Sequence, residues 1–76
     1  MSDLDKKRWI MQVIQNWRMG RSDGYHDAVE ERPDGTLALS IQTYDSPMGD
    51  CWWYPVVRLL NGCIDVEIVS ETHERR

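Results

Sequence analysis

The chain has 76 residues, 41% of them hydrophobic and 29% charged, with nine bases against thirteen acids and a formal net charge of −4. That length fits one domain burying roughly 60% of the surface its unfolded form exposes, and the apolar content excludes general disorder. The charge is uneven: residues 1–24 carry five bases and three acids (net +2) and residues 25–76 four bases and ten acids (net −6), a balance that disfavours a sheet reading nucleic-acid phosphates and favours a protein partner with a basic patch.

A helix is predicted over about residues 3–19. Ser2 followed by Asp5 has the form of a capping box, and Asp3 and Asp5 suit the positive end of a helix dipole. Ile10, Val13, Ile14 and Trp17 recur at i, i+3, i+4 and i+7 and make one apolar stripe, flanked by Trp9 and Met11. Gly20 is the expected terminator. After the polar break at 21–24, a charged edge strand is predicted over about 25–32. Pro33-Asp34-Gly35 is turn chemistry, and the alternation of Leu37, Leu39 and Ile41 with Ala38, Ser40 and Gln42 predicts a half-buried strand over about 36–44. Residues 45–50, DSPMGD, read as a loop.

The run Cys51 to Val69, CWWYPVVRLLNGCIDVEIV, predicts a hairpin with strands over about 52–60 and 63–70. Asn61-Gly62 is the strongest short hairpin signal, because both residues tolerate the positive φ of a type I′ turn. A two-residue loop would pair Leu60 with Cys63, Leu59 with Ile64, Arg58 with Asp65, Val57 with Val66 and Val56 with Glu67. Leu59, Val57, Ile64, Val66 and Ile68 then share a core face, with Pro55 and Trp53 in phase. The opposite face takes Trp52, Tyr54, Val56, Arg58, Leu60, Cys63, Asp65, Glu67 and Val69, with Ala38 and Tyr44 as candidate neighbours. Residues 71–76 read as a frayed polar tail.

These elements specify a single α+β domain over residues 1–76: one amphipathic helix packed on a four-stranded antiparallel meander made of two hairpins. One helix covers one face of such a sheet, so the other is left on display.

No catalytic or metal motif accompanies the fold. Cys51, Cys63, His26 and His73 lack the close ligand pairs of a zinc site, and Asp45 and Asp50 lack the ligand alternation of a calcium loop. There is no GxSxG, no phosphate-binding glycine loop and no HExxH. Asp65 and Glu67 share a face without an enclosing pocket. With about nine residues of extended strand, some 30 Å, between Cys51 and the turn, Cys51 and Cys63 are not expected to pair. The opening Met-Ser-Asp-Leu-Asp lacks the order of a signal peptide, and no apolar run reaches ~18 residues, so the expected location is the cytoplasm.

The expected function is that of a small non-enzymatic binding module, an adaptor or inhibitor. It would dock through Trp52, Tyr54, Val56 and Leu60, with Asp65 and Glu67 tuning partner choice, without cofactor or metal. Four tryptophans with no phenylalanine fit a contact surface, since tryptophan is enriched at binding hot spots. The compact acidic format is one that phage or mobile-element inhibitors of host proteins often have. The competing expectations are a homodimer joined through the same sheet face, a weak nucleic-acid regulator using the basic helix, and a bland one in which Trp52 and Tyr54 are satellites of the core.

Overall fold

The computed structural model describes residues 2–22, 24, 26–45 and 49–75 and, within them, all side chains but those of 44, 45, 49, 50, 63 and 75. Ser2 caps the helix as its spacing to Asp5 predicts: its Oγ accepts the Asp5 N–H at 3.2 Å. Helix α1 runs Asp3–Arg18, with Asp3 and Asp5 in the first turn and Arg18 in the last. It stops one residue short of the predicted end at 19. Met19 N–H returns to the Gln15 carbonyl and Gly20 N–H to that of Trp17, both at 3.0 Å, while Gly20 takes φ +71°.

Four strands follow, β1 (Asp27–Glu31), β2 (Leu37–Asp45), β3 (Gly49–Leu60) and β4 (Asp65–Arg75), in one antiparallel sheet of order β1-β2-β3-β4. The predicted α+β meander is the fold. β1 is shorter than expected, starting at Asp27 rather than near 25; Tyr25 lies outside the described residues. The β1–β2 turn forms at Pro33-Asp34-Gly35, where Gly35 has φ +89°. Asp34 closes that turn, its Oδ1 accepting Thr36 N–H at 2.9 Å and the Thr36 hydroxyl at 2.6 Å. The Thr36 hydroxyl, then its backbone N–H, hold the Asp34 carboxyl below its ordinary range, helped by Arg32 and Arg58. The predicted 45–50 loop is strand at both its ends: Asp45 pairs with Gly49 and Tyr44 with Asp50, and 46–48 lie outside the described residues.

The β3–β4 hairpin departs from the predicted register by two residues. Asn61 and Gly62 do adopt left-handed φ, +52° and +69°, yet Cys63 and Ile64 stay out of the ladder. The first pair is Leu60 with Asp65, followed by Leu59 with Val66, Arg58 with Glu67 and Val57 with Ile68. Three expectations fall with the two-residue loop. Leu60 does not face Cys63, Arg58 meets Glu67 rather than Asp65, and Ile64, expected in the core, is 80% exposed. Asp65 Oδ1 accepts the Val66 N–H at 2.7 Å and starts the strand at the new place. Ile64→Thr is accordingly expected to change the urea midpoint by less than the equivalent of about 0.5 kcal/mol; a loss of several times that would put Ile64 in the core after all.

A second irregularity lies between Val56 and Val57, where β4 carries one extra residue: Val57 pairs with Ile68, but Val56 pairs with Ser70. Val69 is the bulged residue, 47% exposed. Its insertion inverts which side of the sheet each later residue faces. Beyond it β4 does not fray as predicted but continues, Pro55 pairing with Glu71, Trp53 with His73 and Cys51 with Arg75.

The core lies between α1 and one face of the sheet. Ile10, Val13 and Ile14 from the helix meet Leu37, Leu39 and Ile41 from β2, Trp53 and Val57 from β3, and Val66 from β4. Each such burial contributes about 1.5–3 kcal/mol before the entropy of ordering is subtracted. The helix packs against both edge strands, β1 and β4. No helix among the described residues is long and apolar enough to cross a membrane.

Candidate functional site

β3 is an interior strand, so alternation sorts its residues between a covered face and an uncovered one. Trp53, Pro55 and Val57 point to the helix and are buried, and half-buried Leu59 packs on the core beside them. Trp52, Tyr54, Val56 and Leu60 point away from it and are half-buried by sheet neighbours alone. Among the described elements none packs over this second face.

The ladders place the predicted surface residues in rows. Trp52 sits between Gln42 and Glu74, Val56 between Ala38 and Ser70, and Tyr54 beside Thr72. Leu60 is opposite Asp65, which is half-buried, and Arg58 is opposite Glu67, which is exposed. All six predicted contact residues therefore share the outward face, forming an apolar stripe down β3 with acids along β4. Tyr44 shares the face by register, though its side chain lies outside the described ones. The Arg58–Glu67 ion pair is loose, at 3.5 Å with both side chains about half exposed, and such a pair contributes little stability. Beside Trp52, Gln42 Oε1 is buried and accepts no hydrogen bond from a described residue, an arrangement that costs about 1–3 kcal/mol.

The covered face holds a second constellation that sequence reasoning missed. Lys6 Nζ of α1 donates to Glu71 Oε1 at 3.0 Å, and Trp53 Nε1 donates to the same oxygen at 3.3 Å. The Trp53 indole lies between two rings, Trp9 at 5.8 Å between centroids and tilted by 54°, and His73 at 6.2 Å and nearly parallel at 13°. Both Glu71 and His73 reach this face only because Val69 shifts the alternation, and both belong to the segment expected to fray. The available signal was the length of the first strand: the run entering the turn, Cys51–Leu60, is longer than the 63–70 stretch that was to pair with it.

The hydrogen bond from Lys6 holds the Glu71 carboxyl below the ordinary glutamate range, with the Lys6 charge, the indole N–H and His73 adding to the effect against the opposing cost of burial. A carboxyl depressed on folding contributes stability that is present above its unfolded pKa of about 4.3 and is lost as pH falls through the lower folded value. Urea titrations at pH 7 and near pH 3 should therefore show a smaller acid loss for Glu71→Gln than for the wild type. Equal losses would remove Glu71 from the acid response.

Cys51 is buried and unbonded, opposite Thr43 and Arg75 at the far end of β3 from the turn. Among the described residues no three His, Cys, Asp or Glu side chains group closely enough to hold a metal ion. What the outward face offers chemically is contact: aromatic and aliphatic surface beside carboxylates. No protein-family model, curated protein or solved structure matches the chain.

Proposed function

We propose that this protein is a small non-enzymatic protein-binding module, an adaptor or inhibitor, that docks through the outward face of its sheet. The observation that carries the reading is the stripe Trp52, Tyr54, Val56 and Leu60 on an interior strand with no layer above it. Monomers seldom display a contiguous aromatic and aliphatic patch without a use for it, and a tryptophan and a tyrosine at the centre of a face are hot-spot composition. Asp65 and Glu67 beside the stripe favour a partner with a basic patch and disfavour phosphate backbones. The helix adds little for nucleic acid, since one of its bases, Lys6, is already engaged by Glu71. We place its action in the cytoplasm, where a thiol such as Cys51 stays reduced.

The double variant Trp52→Ala, Tyr54→Ala tests the face. It is expected to keep the circular dichroism of the wild type while losing a partner captured by the wild-type protein, with about 2 kcal/mol or more lost at such anchors. Retention of that partner at wild-type affinity sinks the reading. Light scattering adds the competing outcome: a concentration-dependent dimer that the double variant abolishes assigns the same face to a second copy of this chain.

A further inference from the structure

The sheet has two edges, and they are unlike. β1 is five residues long and carries Asp27, Glu30 and Glu31, a short charged edge of the kind that resists pairing. β4 is eleven residues long, contains neither proline nor lysine, carries the bulge at Val69, and among the described residues pairs only with β3. Backbone bonds outside the helix and ladders include none from β4 among the described residues. Alongside it, between β4 and the first turns of α1, runs an open groove of about 440 Å3 in which Ile68 lies among the charged Asp3, Lys7, Glu67 and Glu71. The β4 edge thus offers a backbone template with one aliphatic contact, Ile68, on its helix side.

A second copy of the chain fits this edge poorly. Two β4 strands related by a two-fold axis must pair residues that face the same side of the sheet. With the bulge at Val69, the longest overlap that satisfies this sets Asp65 against Glu74. Like charges directly opposite destabilise an antiparallel pair. The same acids welcome bases. Asp65 and Glu67 flank the edge on the outward face, while Ile68 lies on the helix side, in the groove.

We propose that the free edge of β4, beginning at Asp65–Ile68, accepts an extended segment of a partner protein as a fifth strand. That segment alternates basic side chains, which lie beside Asp65 and Glu67, with aliphatic ones, which enter the groove by Ile68. The inference rests on the protein-binding reading, to which it adds the partner's conformation and side-chain pattern.

The test uses the intact protein and a capped peptide alternating lysine and valine, with amide hydrogen exchange read by NMR. At saturating peptide, the β4 amides that point away from β3 should exchange at least about tenfold more slowly, and a peptide N-methylated on its pairing edge should lose that effect. Glu67→Lys should weaken binding about fivefold or more, since it replaces an attractive cross-strand pair by a repulsive one. Unchanged β4 exchange, or equal slowing by the N-methylated peptide, overturns the proposal. The Trp52→Ala, Tyr54→Ala variant separates the two readings. Protection that survives there and is lost with the N-methylated peptide assigns binding to the edge. Protection that vanishes there and is equal for the N-methylated peptide belongs to the face and overturns the edge.

Discussion

Trp53→Ala is expected to unfold the protein at room temperature. Trp53 is 2% exposed, belongs to the core and holds three neighbours at once, Trp9, His73 and Glu71. Truncating a buried tryptophan typically costs about 3–5 kcal/mol, and a domain of this size starts from about 5 kcal/mol. Far-UV circular dichroism and a urea titration read the result directly, and a cooperative transition with a midpoint near that of the wild type would contradict it. Trp53→Phe isolates the polar part of the loss. It keeps most of the ring but removes the N–H that Glu71 accepts, so its cost should be about 1–2 kcal/mol with the fold retained.

Inserting one alanine between Ser70 and Glu71 should have the next largest effect, through geometry rather than volume. With the added residue the alternation beyond Ser70 runs in the opposite phase, which turns Glu71 and His73 outward and brings the inserted alanine and Thr72 under the helix. The charged hydrogen bonds at Glu71 and the ring stack on Trp53 would be lost together, a sum of about 2–4 kcal/mol. The ring-current shift that Trp53 imposes on the His73 imidazole protons provides a local readout. An insertion variant as stable as the wild type, with that shift intact, would mean that the strand absorbs the extra residue in a second bulge and that the phase set at Val69 is incidental.

The helix and the sorting of β3 were legible in the sequence because both rest on local periodicity. Ser2, Asp5, the Ile10–Trp17 stripe and Gly20 each act within a turn or two of themselves. Register was legible only in part. A slip of two residues leaves every side chain on its own face, so the pattern of Leu59, Val57, Val66 and Ile68 cannot distinguish a two-residue loop from the four-residue one that forms. Charge did not help either, since Arg58 meets an acid in both registers, Asp65 in one and Glu67 in the other. The bulge at Val69 was hidden for a different reason. It is favoured by what it delivers, Glu71 to Lys6 and His73 to Trp53, and those partners lie far away in sequence. The outward stripe survived these errors because it depends on parity before the bulge and on nothing beyond it.

The hydrogen bond between Lys6 and Glu71 joins residues 65 apart in sequence, and so has a consequence for how the chain folds. α1 is made first and β4 last, yet the helix rests on β4 and on the far edge strand β1. The apolar stripe of Ile10, Val13 and Ile14 meets β2 and β3 as well, but its contacts with Val66 and the Lys6–Glu71 bond wait for β4. Closing so long a loop carries a larger entropic cost than the local contacts of the helix or of a hairpin. The cover of the helix is therefore complete only when the last strand joins the sheet.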